Sequence, residues 1–223
     1  MKAVCIIPAR GGSKRLPRKN ILPLAGEPLL AHTIKHALDS KCFDRVIVSS
    51  DDPEILKIAD SNGAIAYKRP ADLGKDESTV VQVCLDVLDK FPAEDFCCIY
   101  ATAALLSSQS IINSCRTFYE NKEGGATMLM GVSRYNHHPV QAITPAEGGF
   151  VKPLFPDYTG VQSQFYPKAY VSNGTFIWSE SQAFFKEQTF YGSLLQVFLV
   201  PESEVCDIDT MLDYERLISL YER

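Results

Sequence analysis

From residue 3 to residue 132, short apolar β-branched runs alternate with segments of helical period, and no other feature limits the fold as tightly. Residues 3–7 read as a buried strand. Residues 28–40 set Leu30, Ile34, Ala37 and Leu38 at helical spacing, with Pro28 suited to the first turn. A second strand at 45–49 runs into Ser50-Asp-Asp-Pro53, a helix start, and Gly63 is the matching stop. Strands at 64–67, 96–101 and 126–132 then alternate with helices at 79–90 and 107–120. The expectation is one α/β domain spanning residues 1–223: a Rossmann-like, mostly parallel sheet with helices on both faces. Right-handed crossovers would gather the loops after the strands along one edge, where such sheets bind ligands.

Residues 134–168 break the pattern. They hold several prolines and glycines and two short alternating runs, Gln141-Ala-Ile-Thr144 and Gly149-Phe-Val-Lys152. We read an inserted arm with a hairpin, of the kind used in oligomer contacts or as a lid. Its apolar residues Phe150, Val151, Leu154 and Phe155 favour a dimerisation arm and hence a homodimer. Strands at 170–178 and 196–200 and a helix at 210–222 return the chain to the core.

Charge narrows the partners. The net charge is −5, yet Arg10, Lys14, Arg15, Arg18 and Lys19 fall within ten residues. A local basic patch on an acidic chain suits a small anion, not a nucleic acid. No signal-peptide pattern opens the sequence, and no apolar run approaches membrane-spanning length. The seven cysteines sit mostly in apolar runs without paired C-x-x-C spacing, as reduced core thiols of a cytoplasmic protein would.

Three stretches can carry chemistry. The first strand ends in Pro8-Ala-Arg-Gly-Gly-Ser-Lys-Arg-Leu-Pro-Arg-Lys-Asn20. Gly11 and Gly12 would let the backbone approach phosphate, Ser13 adds a hydroxyl, and Arg10 and Lys19 can neutralise charge on a transferring phosphoryl group. The loop is neither a Walker A sequence nor a dinucleotide fingerprint. Near the C-terminus, Asp207-Ile-Asp-Thr210 puts two carboxylates at i and i+2, on one face of an extended chain. Such hard oxygen ligands suit Mg²⁺, which takes one or two carboxylates plus phosphate oxygens and waters; the plain alternative is that Asp209 caps the last helix. Third, Arg69-Pro-Ala-Asp-Leu73 leads to Ser78 and Thr79 at a helix start, where a phosphate or a base edge could sit. Adjacent His137 and His138 point in different directions on a strand and do not read as a metal site. Ser49, Ser107 and Ser172 lack the context of a hydrolase nucleophile.

Taken together, residues 7–21, Val48-Ser-Ser-Asp-Asp52, Arg69-Pro-Ala-Asp-Leu73 and Asp207-Ile-Asp-Thr210 resemble, in order, the motifs of cytidylyltransferases that activate nonulosonic acids, the sialic-acid-like sugars. The resemblance covers nearly the whole chain. It implies a Rossmann-like nucleotidyltransferase domain, a dimer built partly through an inserted arm, CTP as donor, an acidic nine-carbon sugar as acceptor, and Mg²⁺ (or Mn²⁺) as cofactor. Carried over by position, Arg10, Gly11, Gly12, Ser13, Lys19 and Asn20 would meet the nucleotide, and Arg69 and Ser78 its cytidine part. Tyr100, Thr102, Tyr170 and Asn173 would make further substrate contacts, and Asp207 and Asp209 would hold the metal.

Cys98-Ile-Tyr-Ala-Thr-Ala103 looks like the pseudaminic acid branch, with Tyr100 where sialic acid enzymes carry glutamine. Ala169-Tyr-Val-Ser-Asn-Gly-Thr175 departs from both branches: it keeps Asn-Gly but lacks the preceding arginine of one and the His-Asp-Ala-Gly-Gln of the other. The implied reaction converts CTP and a nonulosonic acid into a CMP-sugar and pyrophosphate. Rival readings are a cytidylyltransferase for N-acetylneuraminate, legionaminate or 3-deoxy-manno-octulosonate, and a non-catalytic nucleotide-binding protein.

Overall fold

The fold was analysed in a computed structural model, which describes residues 3–75 and 77–222. Eleven strands and six α-helices follow in chain order: β1 (Ala3–Pro8), β2 (Pro23–Leu24), β3 (Glu27–Pro28), α1 (Leu29–Ser40), β4 (Arg45–Ser50), α2 (Pro53–Ser61), β5 (Ile65–Lys68), α3 (Val80–Lys90), β6 (Asp95–Ile99), α4 (Ser108–Glu123), β7 (Met128–Arg134), β8 (Ile143–Pro145), β9 (Val151–Pro153), β10 (Tyr170–Glu180), α5 (Ser181–Glu187), β11 (Leu195–Leu199) and α6 (Met211–Tyr221).

Seven strands form one sheet in the order β11-β7-β10-β6-β1-β4-β5. The pairs β6-β1, β1-β4, β4-β5 and β11-β7 are parallel, whereas β10 runs antiparallel to both β6 and β7. Alternation along β1 divides the core. Cys5 and Ile7 face one side with Ile34 of α1, Ile55 of α2 and Phe118 of α4. Val4 and Ile6 face the other with Val87 of α3 and Phe184 of α5. Helices therefore cover both faces, as the alternation predicts.

Three local expectations change. Pro28 precedes α1 as its N-cap residue instead of opening its first turn. The seven-residue helix α5 and the small β2-β3 hairpin were not anticipated, being too short to show a period. The arm does contain a hairpin, β8 against β9, as its two short runs suggest.

A third, smaller cluster matters most for function. Leu16 of the basic loop, Ile208 between the two aspartates and Leu217 of α6 are all buried together with Leu24 and Leu29. This contact pins the C-terminal segment onto the loop after β1. The Tyr214 hydroxyl of α6 adds a hydrogen bond to the Pro23 carbonyl.

Candidate active site

A cleft of about 340 Å³ opens beyond the C-terminal ends of β1 and β6, lined by Pro8, Arg10, Lys19, Asn20, Arg69, Ser78, Val80, Val83, Tyr100, Ala101 and Thr102. Residues from the loops after β1, β5 and β6 and from the start of α3 thus share one site, at the edge where parallel strands leave room for a ligand.

The basic loop is held by its own side chains. Buried Asn20 donates Nδ2–H to the Arg10 carbonyl at 2.9 Å, closing the loop on itself. Arg18, at φ 57, turns away to Glu54 at 2.5 Å and Asp52 at 3.5 Å, locking the loop to α2. Gly11 serves packing. A Cβ there would lie 2.7 Å from Asp52 Oδ2, and its N–H donates to Asp51 Oδ1 at 3.2 Å. Asp52 in turn caps α2 through Glu54 and Ile55. The expectation that this glycine points its N–H at phosphate is therefore corrected. Neither Gly11 nor Gly12 nor Ser13 lines the cleft.

Arg69 is buried at 5% exposure. Its guanidinium donates to the Ser49 carbonyl and, at 3.4 Å, to the Leu73 carbonyl, while Nε is buried with no protein partner. Burial pulls its pKa below the usual arginine range, with Asp51 and Asp86 acting the other way. Arg69 thus ties β4 to the loop that follows β5, and it lines the cleft. Ser78 gives its hydroxyl to the Asp72 carbonyl at 2.9 Å. Thr79 and Gln82 form a capping box, so the hydroxyl of Thr79 serves α3 itself. Val80 and Val83 add an apolar wall that the polar motifs gave no reason to expect.

The two aspartates part company. The Asp209 carboxylate meets Arg15 Nη1 at 2.7 Å and Lys19 Nζ at 3.2 Å. Lys19 also donates to the Ile208 carbonyl. Asp207 instead lines a second cleft of about 380 Å³, with Ser133, Arg134, Asn173, Glu202 and Arg216 among its walls. Ile208 between the two aspartates is buried, the chain bends at Asp209, and two cations of the loop supply the countercharge of Asp209. Capping falls to Thr210 and Asp213, whose carboxylate accepts the N–H groups of Asp209 and Thr210 at 3.1 and 2.8 Å. That leaves both aspartate side chains outside the cap.

The second cleft owes its shape to β10. Its register against β7 shifts between Ser172 and Ile177, and Gly174 takes φ 64. A Cβ on Gly174 would lie 3.8 Å from Asp207 Oδ1. Buried Asn173 donates Nδ2–H to Ser133 Oγ at 3.1 Å and accepts from Thr175 Oγ1 at 2.6 Å. The Thr175 carbonyl accepts the Tyr100 N–H at 3.0 Å, so this network joins the two clefts. The Tyr100 phenol is raised above its usual range, first by burial, then by thiols of Cys98 and Cys84 and, more weakly, by Tyr191 and Asp207.

Of the other sequence expectations, Tyr170 lies in neither cleft. It lines a separate hollow of about 410 Å³ with Arg134, Tyr135, His138, Lys168 and Ala169. His138 Nε2 lies 2.8 Å from the Pro167 carbonyl and its ring packs against Tyr166, a role in holding the base of the arm. Among the described residues no group of three or more His, Cys, Asp and Glu side chains could hold a metal ion. An ion at Asp207 would therefore take most of its shell from substrate oxygens and water.

Comparison with known proteins extends the picture. A family model described as Cytidylyltransferase matches residues 4–148. A pseudaminic acid cytidylyltransferase of Campylobacter jejuni is 36% identical, covering 99% of this chain and 97% of the relative. A CMP-N,N'-diacetyllegionaminic acid synthase of Legionella pneumophila is 33% identical over the same shares. A solved structure of a CMP:2-keto-3-deoxy-manno-octonic acid synthetase complexed with CTP matches with a TM-score of 0.74, covering 100% of this chain and 99% of that one. At 16% identity that likeness speaks for the fold alone.

Proposed function

The chain belongs to the cytidylyltransferase family, and from that premise we propose that it transfers CMP from CTP to a nonulosonic acid of the pseudaminic type. The single observation that carries this reading is the joining of two clefts through the Asn173–Thr175–Tyr100 network. The first cleft suits CTP. Arg10 and Lys19 would face the triphosphate, and Arg69, Ser78 and the valine wall would face ribose and base. The second suits the sugar. Its anomeric hydroxyl attacks the α-phosphorus, a new P–O bond forms, the α–β bond breaks, and pyrophosphate leaves as the hydroxyl proton is lost. Fixed cations at the phosphates stabilise the charge that builds up, so positioning and electrostatics dominate the rate.

Asp207 and Asp209 fit a divalent cation by donor chemistry and by their freedom from capping duty. Asp207 would contact Mg²⁺ or Mn²⁺ directly, and Asp209, already neutralised by Lys19 and Arg15, through water. Such an ion supplies Lewis-acid stabilisation of the phosphate oxygens. The arm would assemble a homodimer: Ile143, Phe150 and Val151 are exposed at 64%, 75% and 60%, an apolar surface that a second copy would cover. No described helix is long and apolar enough to cross a membrane, and no described cysteine is in a disulfide; we read the setting as the reducing cytoplasm.

The decisive assay incubates the protein with CTP, Mg²⁺ and a panel of pseudaminic, legionaminic, N-acetylneuraminic and 3-deoxy-manno-octulosonic acids, reading pyrophosphate and product mass. A CMP adduct of pseudaminic acid is the expected product. Release of pyrophosphate with no sugar of the panel would contradict the reading.

A further inference from the structure

We propose that Arg134 and Arg216 form the clamp that recognises the acceptor's carboxylate and makes the enzyme select a sugar acid over its uncharged counterpart. The inference rests on the reading of the second cleft as the acceptor site. Arg134 ends β7 and Arg216 stands on α6, and both line that cleft beside Asp207. Unlike Arg15 and Lys19, which are taken up by Asp209, neither arginine makes an ion pair with a described carboxylate. Asp213, on the same helix as Arg216, is committed to the cap of α6. Two arginines from elements distant in sequence thus line one cleft, without an ion pair to any carboxylate among the described residues.

Electrostatics makes the need plain. Glu202 and Asp207 line the same cleft, so an anionic acceptor meets two negative charges there. A planar guanidinium offers parallel N–H donors that match a carboxylate in bidentate fashion, and two of them offset the two negative charges the acceptor meets. Arg134 also lines the hollow that holds Tyr135, His138 and Tyr170. A carboxylate anchored at Arg134 therefore leaves the far carbons of a nine-carbon acid directed into that hollow, which gives Tyr170 a place in sugar recognition.

The test compares pseudaminic acid with its methyl ester as acceptors for the wild type, R134Q, R216Q and R216K, at saturating CTP and Mg²⁺. Wild type should favour the acid by about 100-fold or more in kcat/KM. Each glutamine variant should raise KM for the acid about 10–100-fold, as loss of a hydrogen-bonded charge does. KM for CTP should stay within about twofold, KM for the ester should not move, and the acid-to-ester ratio should collapse. R216K should recover part of the loss, and thermal unfolding should not shift, which a merely structural role would not produce. The clamp is overturned by an unchanged KM for the acid, by equal rises for acid and ester, or by a matching rise for CTP. Wild-type protein that fails to turn over the free acid would instead remove the functional reading, and the clamp with it.

Discussion

The two clefts are built differently. The first is made of the loops that follow β1, β5 and β6 and of the start of α3, and its side chains are tied to nearby backbone: Asn20 to Arg10, Arg69 to Ser49, Ser78 to Asp72. All of its lining residues fall within residues 4–148, the stretch matched by the family model. The second is assembled from the end of β7, the bulge of β10, the segment before α6 and α6 itself, and everything beyond Asn136 in it lies outside that stretch. The difference teaches a division of labour. A nucleotide is the same for every member of such a family, so its site can be written in compact local motifs. An acceptor varies, and its site is left to long-range packing that can change without disturbing the nucleotide loops.

Removal of the metal should have the largest effect, because it would withdraw the Lewis-acid stabilisation of the phosphate oxygens. Chelation with EDTA should abolish turnover, and Mg²⁺ or Mn²⁺ should restore it. Asp207→Asn should impair the use of both substrates, and Asp209→Asn should raise the metal concentration for half-maximal rate about 10–100-fold, as loss of an outer-shell carboxylate does. Wild-type metal dependence in both variants would remove the aspartates from the site.

Lys19→Ala should be next. Loss of one preorganised charge at a transferring phosphoryl group costs about 10²–10³ in kcat. KM for the sugar should hardly change, so a large rise in that constant would break the proposed division. The Asp209 ion pair is part-exposed, so unfolding should shift little.

Leu16→Ala probes the seam between the halves. Truncating a buried leucine costs about 2–5 kcal/mol. Because Leu16 packs with Ile208 and Leu217, urea unfolding should show that loss, and the docking of α6 should loosen. A variant as stable as wild type would show that this cluster does not hold the aspartates in place.

The smallest effect belongs to Asn173→Ala. It removes hydrogen bonds to Ser133 and Thr175, each worth about 0.5–1.5 kcal/mol. KM for the acceptor should rise several-fold while KM for CTP stays put. The reverse pattern would assign β10 to the nucleotide.

Legibility followed the same divide. The alternation of apolar runs gave the sheet and its flanking helices because period and length are local properties. The basic loop showed Arg10, Lys19 and Asn20 as site residues, and all three line the first cleft. What Gly11 does was hidden, because the side chain it packs against, Asp52, caps α2 and only the folded chain brings them together. The aspartates were visible as a pair, but their partners were not: two cations of the loop after β1 meet Asp209, and Asp207 lines the second cleft. Arg134 and Arg216 carried no motif at all. Each is an ordinary surface arginine in sequence, and only the bulge in β10 and the docking of α6 place them on one cleft.

The central claim is that the nucleotide takes the first cleft and leaves the second for the acceptor. A crystal structure of the protein with CTP tests it most directly. The account predicts the triphosphate against Arg10 and Lys19, the cytidine between Arg69, Ser78 and the Val80–Val83 wall, and no nucleotide density beside Arg134 and Arg216. CTP bound across the second cleft, with its phosphates on those two arginines, would contradict it.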